Sequence, residues 1–150
     1  MFNVLLDYPS FEEEMNIVKS TTVDSDAQLN TVLSVEDIIA SQRVIRRMPV
    51  PDNVCEYAVR LVSATRPDKI AAPDSVASRY ISWGAGPRAS QYLIIGARTH
   101  AALMGKYSPD IEDVQSVATE VLRHRIVGNY YAEAEGISID SIIQMIMEKK

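Results

Sequence analysis

The sequence has few of the residues that several common kinds of site require. It holds one cysteine, Cys55, so no internal disulfide can form, and no Cys/His spacing matches a zinc site. Two Phe and one Trp are too few for a base-stacking platform, and 15 basic against 20 acidic residues give a net charge of −5. We therefore predict no metal site and no nucleic-acid partner, and a helix-turn-helix DNA binder is the least favoured function class.

Long apolar runs and a targeting leader are also missing. The longest runs, such as 4–6 and 92–97, are far shorter than the roughly 20 residues that span a bilayer. No basic-then-apolar segment opens the chain. We expect a soluble, cytoplasmic protein with no membrane partner. Strand-like residues follow Met1 directly, which predicts a piece cut from a longer protein.

Helix signals dominate what is present. Helix starts are predicted after Ser10, which forms a capping box with Glu13, and after Ser34. Further starts are predicted at Pro51, at Pro87, at Ser108-Pro109 and near Ser138 or Asp140. The strongest amphipathic pattern follows Pro51, where apolar or small residues recur at helical spacing: Val54, Tyr57, Ala58, Leu61, Val62 and Thr65. We predict an all-α helical bundle with a short strand-like segment at 2–6.

Four finer expectations follow from these patterns. The helix after Ser34 runs to Arg47 and should bury one side, made of Val35, Ile38, Ile39, Gln42 and Ile45. The helix that starts at Ser108-Pro109 should continue to about Ile126, and the helix after Pro87 should end at Gly105 as its C′ residue. Tyr80 and Trp83 are predicted to be packing residues ahead of the glycine-rich turn.

That turn, Gly84-Ala85-Gly86-Pro87-Arg88, is the candidate site. Pro87 suits the first helical position, so Arg88 falls in the first turn, where free amides and the helix dipole favour an anion. A guanidinium there can bind a phosphate through charge-assisted hydrogen bonds. The alternative is a solvated arginine at an ordinary helix start. The motif is too short to decide between the two.

A longer stretch carries a resemblance. The residues from Trp83 to Gln91, followed by Leu93, Gly96-Ala97-Arg98, Gly105 and Val121-Leu122-Arg123-His124-Arg125-Ile126, resemble the C-terminal part of MoxR-type AAA+ ATPases. Residues 2–10 are similar to the last strand of the ATPase core in that family. The resemblance implies a core-strand remnant at 1–9, a connecting helix and loop at 10–33, and a helical lid domain at 34–150.

The resemblance also implies roles. Arg88 takes the place of the sensor 2 arginine, which contacts the terminal phosphate of ATP, and Gly86 and Pro87 join it as nucleotide-binding residues. The longer parent would use ATP and Mg²⁺, and this chain alone would hold no cofactor. Implied partners are the parent's own core domain, neighbouring subunits of a ring, commonly a hexamer, and von Willebrand factor A domain proteins.

Catalysis by the chain alone is not expected. The phosphate-loop pattern fails, because Tyr107 follows Gly105-Lys106 and His100 stands where the first glycine belongs. No metal-binding acids or positioned water are supplied either, and a nucleotide hydrolase needs all three. We predict that the isolated chain neither binds ATP with useful affinity nor hydrolyses it.

Two alternatives stay open. The cations Arg123, His124 and Arg125 are ordinary at a helix C-terminus, and by resemblance they also form a lid surface that meets the core or a neighbouring subunit. In place of the lid, the chain could be a free-standing helical adaptor that binds a partner through an Ile/Met-rich groove at residues 139–147.

Overall fold

The computed structural model describes residues 1–24, 29–68 and 72–149; residues 25–28 of the predicted connecting loop lie outside them. The described residues form nine α-helices, one 3₁₀ turn and two short antiparallel strands, so the all-α prediction is confirmed. The elements are α1 Phe11–Thr21, α2 Val35–Arg47, α3 Asp52–Ala64, α4 Val76–Tyr80, β1 Ile81–Trp83, α5 Pro87–Leu103, α6 Ile111–Ser116, α7 Ala118–Leu122, the 3₁₀ turn Arg123–Arg125, β2 Val127–Gly128, α8 Tyr130–Ala134 and α9 Ile139–Glu148. None of the helices in these ranges has the length and apolar character needed to cross a membrane.

The helix α5 is the centre of the fold. The helices α2, α3, α6 and α7 pack against it. Its buried face consists mainly of small residues, which allow close approach: Ala89, Leu93, Gly96, Ala97 and Ala101. A Cβ added at Gly96 would lie 3.1 Å from both the Phe2 ring and a Val117 methyl group. As predicted, the helix ends with Gly105 in the left-handed conformation, at a φ of 72°.

The amphipathic pattern of α3 correctly predicted its buried side. Val54, Ala58, Leu61, Val62 and Thr65 are all buried, and Tyr57 packs at the edge of the core. At the other end of the chain, α9 buries Ile142, Ile143 and Ile146 in the same core. The core therefore joins the middle and the C-terminal part of the sequence.

The prediction for α2 was wrong on burial, although its bounds and its start at Ser34 are confirmed. Val35, Ile38, Ile39 and Gln42 are exposed, and Ile45 is half-buried. An apolar stripe shows which side of a helix prefers to be covered, but not whether the fold supplies a cover. Here α5 contacts α2 and leaves most of its stripe in solvent.

The N-terminal residues also lie outside the core. Residues 1–10 form neither helix nor strand, and α1 buries none of its residues. The Asn3 N–H donates to the Glu120 carbonyl at 2.8 Å, and Arg123 and Arg125 donate to the carbonyls of Asn3 and Met1, which attaches the segment to the bundle. A strand needs a neighbouring strand, and the described residues offer none beside this segment.

The helix predicted from Ser108 to about Ile126 was wrong in two respects. It begins at Ile111 with Asp110 as its N-cap, because the side chains of Asp110 and Asp113 bond each other's backbone N–H groups. The chain then breaks at Val117 into α6, α7 and the 3₁₀ turn. Side chains on both sides of this break are still buried in the core.

Asp113 is a fully buried carboxylate that ties α6 to the end of α5. It accepts hydrogen bonds from the backbone N–H of Asp110 at 2.9 Å and from Lys106 Nζ at 3.1 Å, and it lies 2.7 Å from His100 Nδ1. Burial alone would raise the pKa of Asp113, but the hydrogen bonds from Asp110, His100 and Lys106 outweigh burial and lower it to about 2.

We predict that Asp113→Asn destabilises the protein by about 1–3 kcal/mol at pH 7, because the neutral amide leaves the buried partners poorly satisfied. The stabilisation by the carboxylate is complete above the ordinary pKa of 3.8 and is lost as the pH falls toward 2. Urea denaturation of both proteins between pH 7 and pH 2 measures the difference in unfolding free energy. A difference that stays constant over that range would contradict the role of the charge.

Candidate functional site

The candidate site is the turn between β1 and α5. Gly86 is the N-cap of α5, its backbone is extended, and no side chain caps the helix. Pro87 occupies the first helical position, as predicted, and Arg88 follows in the first turn. Gly86, Pro87 and Arg88 are all exposed. The uncapped N-terminus of this 17-residue helix therefore opens toward solvent.

The end of α3 holds this turn in place. The fully buried Thr65 hydroxyl donates to the Val62 carbonyl at 2.7 Å and accepts from the Ala85 N–H at 2.9 Å. The Ala85 carbonyl in turn accepts from Arg66 Nε at 3.0 Å. Both polar backbone groups of Ala85 are thus bonded to α3, which fixes the direction in which α5 begins.

The two glycines of the turn have different roles. A Cβ added at Gly84 would lie 2.3 Å from the Thr65 carbonyl oxygen and 2.7 Å from the Arg66 Cα. At Gly86 an added Cβ would meet no heavy atom within 4 Å. Gly84 is therefore required by the close approach of the turn to α3, whereas at Gly86 the space is open.

Arg88 is the residue that the turn presents. Its side chain is exposed, and within the described ranges it forms neither a hydrogen bond nor an ion pair. Arg125 is near enough to act on it electrostatically. The guanidinium at the start of α5 thus remains available to an anion from outside the chain.

The prediction that Tyr80 and Trp83 are packing residues is confirmed for Tyr80 and wrong for Trp83. Tyr80 is buried, and its hydroxyl donates to Glu135 at 2.9 Å. Trp83 was predicted to pack but is 73% exposed, because it lies at the end of β1 beyond the side chains that reach the core. The turn is therefore positioned by Thr65, which the sequence analysis placed in the stripe of the third helix, and by Arg66, which it did not single out.

A two-stranded sheet brings the turn close to the triplet Arg123-His124-Arg125. The strand β1 immediately precedes the turn, β2 follows the triplet, and Ile81 pairs with Gly128 while Trp83 pairs with Val127. The sequence analysis missed this sheet. Strands of two or three residues are too short to show alternation, and the β-branched pair Ile126-Val127 is the one local signal for β2.

The members of the triplet lie in different environments. Arg123 binds Asp140 through two hydrogen bonds of 2.7 Å and donates to the Asn3 carbonyl at 3.0 Å. Hydrogen bonding within this pair raises the pKa of Arg123 and lowers the pKa of Asp140. Arg123 is thus an internal tie between the 3₁₀ turn and α9.

Arg125 is turned toward α5 instead. Its guanidinium lies 5.1 Å from the centre of the Tyr92 ring, and its Nη1 donates to the carbonyls of Val121 and Met1. Burial and the neighbouring Arg88 lower the pKa of Arg125. His124 is exposed as a residue, and the partial burial of its ring together with the neighbouring Arg125 lowers the pKa of His124.

Residues 74–146 match the family model of the AAA lid domain. Residues 74–146 are an AAA lid domain. They include the turn, α5 and the triplet, so all the candidate site residues lie inside the lid domain.

The relatives specify the type of lid. The chain is 34% identical to "Chaperone MoxR1" of Mycobacterium tuberculosis over 148 residues, covering 99% of this chain and 39% of that protein. It is 29% identical to "Uncharacterized protein YeaC" of Bacillus subtilis over 151 residues, covering 98% of this chain and 43% of that protein. The lid region is therefore of the MoxR type.

A solved structure has the same fold. The crystal structure of a "putative ATPase" from Cytophaga hutchinsonii superposes with a TM-score of 0.83 at 30% identity, covering all of this chain and 46% of that one. The chain spans less than half the length of each of these relatives.

The lid domain presents an exposed arginine at the start of α5 and, in its described part, no cluster of metal ligands. Among the described residues, no group of three or more His, Cys, Asp or Glu side chains could hold a metal ion. Cys55, the single thiol, is half-buried beside the stripe of α3.

We predict that Gly84→Ala destabilises the lid domain by at least about 1–3 kcal/mol, because the new methyl group would overlap the Thr65 carbonyl and force the backbone to shift. Gly86→Ala is the matched control, since its Cβ enters open space and should cost less than about 1 kcal/mol. Thermal and urea denaturation measure both variants. Equal losses for the two glycines would contradict the steric role of Gly84.

We also predict that Thr65→Val exposes the Ala85 amide to hydrogen exchange, because the hydroxyl that accepts its proton is gone. The unpaired amide should cost about 1–3 kcal/mol. Thr65→Ser keeps the hydroxyl and should keep the Ala85 amide protected. Hydrogen exchange followed by NMR distinguishes the two, and a protected Ala85 amide in the Val variant would show that the hydrogen bond does not hold the turn.

Proposed function

We propose that this chain is the lid part of a MoxR-type AAA+ ATPase in which Arg88 acts as the sensor 2 residue and contacts the γ-phosphate of bound ATP. The observation that carries this proposal is the exposed guanidinium of Arg88 at the uncapped start of α5, without an ion pair in the described part of the chain. Gly86 and Pro87 set the backbone from which Arg88 projects. The helix dipole adds to the attraction for phosphate.

The turn gives this contact the stiffness that a sensor needs. Thr65, Arg66 and the close approach at Gly84 fix the start of α5 relative to α3. A force on Arg88 would therefore move the lid domain as a unit. When hydrolysis removes the γ-phosphate, the differential contact is lost, and the preferred position of the lid relative to the ATPase core changes.

Hydrolysis itself would belong to the longer protein. We propose that the phosphate loop, the ligands of Mg²⁺ and the attacking water come from an ATPase core that precedes this chain, and that the chain alone is inactive. The exposed apolar side chains of the N-terminal part support a covering domain. They include Val4, Leu5, Leu6, Phe11, Ile17, Val18, Ile38 and Ile39.

Assembly is proposed on the same basis. The core domain and neighbouring subunits of a ring, commonly a hexamer in this family, would be the direct partners of the lid domain. Von Willebrand factor A domain proteins would be the proteins on which such a ring acts. His124 is exposed on the triplet and could meet either the core or a neighbouring subunit, whereas Arg123 is held by Asp140.

The structure argues against the adaptor alternative. That function required an open apolar groove at residues 139–147. Ile142, Ile143 and Ile146 are instead buried in the core, and Met145 and Met147 pack against it. The side of α9 that was to receive a partner is already covered by the chain's own helices.

In the ATPase that contains this lid domain, we predict that Arg88→Ala lowers ATP turnover roughly 10- to 100-fold, corresponding to the loss of one charge-assisted hydrogen bond of about 1.5–3 kcal/mol. Steady-state hydrolysis measures this loss, and circular dichroism checks the fold. Arg60→Ala is the control, since Arg60 is an exposed arginine whose ion pair with Glu56 lies on the surface of α3. Turnover near wild type in Arg88→Ala would refute the sensor role.

A further inference from the structure

We propose that Arg125 is a second phosphate-binding residue, so that the lid domain presents a pair of arginines to one polyphosphate. This inference rests on the proposed function and deepens it. The two guanidiniums come from distant parts of the sequence, Arg88 from the start of α5 and Arg125 from the 3₁₀ turn after α7. The pairing of β1 with β2 brings these two segments together.

Tyr92 fixes the relative position of the pair. It lies one helical turn after Arg88 on α5, so the two side chains project from the same face of the helix. The guanidinium of Arg125 stacks over the Tyr92 ring at 5.1 Å. Arg125 therefore lies beside the face of α5 that carries Arg88.

Arg125 also has N–H groups that are not used in hydrogen bonds to the described residues. Its hydrogen bonds to the Val121 and Met1 carbonyls both use Nη1. Within the described ranges, Nε and Nη2 of Arg125 have no hydrogen-bond partner, and neither is among the buried unpaired atoms. One edge of the guanidinium is anchored, and the other edge can reach an anion. A guanidinium held in this way loses little side-chain freedom when it binds.

The charges around Arg125 indicate what the pair would bind. Its electrostatic neighbours are Tyr92 and a second cation, Arg88, rather than a carboxylate. The contrast with Arg123 is direct, because two residues earlier in the same turn Asp140 neutralises that guanidinium. Two adjacent cations without a counter-ion repel each other, and an anion that bridges them relieves the repulsion. Oxygen atoms on two phosphates of one chain, as in a nucleoside triphosphate or inorganic tripolyphosphate, suit such a pair.

The test uses this chain and inorganic tripolyphosphate, with no ATPase core required. Binding by the isolated chain is expected to be weak, so tripolyphosphate is added to millimolar concentration. In a ¹H–¹⁵N NMR titration at low salt, the Nε–H signals of Arg88 and Arg125 should shift together along one saturating curve. The signal of Arg60, an exposed arginine on α3, should stay in place. Movement of the Arg88 signal without the Arg125 signal, or of neither, would overturn the inference.

The affinity of arginine variants for tripolyphosphate gives a second test. Arg125→Gln should weaken tripolyphosphate binding at least 5-fold, as should Arg88→Gln, while Arg60→Gln leaves it unchanged. A purely structural Arg125 would lower the melting temperature and leave the affinity of the folded protein as it was, which would overturn the inference. If Arg125→Gln fails to fold, the wild-type titration still decides.

The two proposals fail in different ways. An Arg125 that does not contact phosphate leaves the effect of Arg88→Ala on ATP turnover intact. Wild-type turnover in Arg88→Ala removes the sensor role, whatever the titration of this chain shows.

Discussion

The attachment of the glycine-rich turn to the end of α3 is the constraint on which the rest of the site depends. Ala85 gives its N–H to Thr65 and its carbonyl to Arg66, and Gly84 lies so close to the Thr65 carbonyl that no Cβ fits between them. These contacts fix where α5 begins. Because α5 is the helix around which the bundle packs, the same contacts relate the candidate site to the core.

Three arginines near this turn differ because their surroundings differ. Arg123 is neutralised by Asp140 and joins the 3₁₀ turn to α9. Arg125 is anchored through one nitrogen and stacked on Tyr92, and Arg88 is exposed with no counter-ion in the described residues. The same side-chain chemistry thus has a structural role at Arg123, whereas Arg88 is left exposed to solvent. A carboxylate at hydrogen-bond distance is what separates the two.

The chain divides into a packed part and a peripheral part. From α3 onward the helices share one buried core, whereas residues 1–47 carry exposed apolar side chains and α1 and α2 bury none of their residues. A surface of this kind has an unfavourable contact with water until something covers it. The relatives are more than twice as long as this chain, which is consistent with a neighbouring domain that would provide the cover.

The sequence alone determined the features whose causes are local. The reciprocal cap at Ser10, the cap at Ser34, Pro87 at the start of α5, Gly105 near its end and the stripe of α3 all have local causes. Each depends on residues within a few positions or turns of each other. Only the tertiary structure decided which apolar faces are covered, that β1 pairs with β2, and that Arg125 lies by Arg88 while Arg123 takes Asp140. Such contacts join residues that are far apart in sequence. A periodic pattern predicts which face of a helix is apolar but not which element packs against that face.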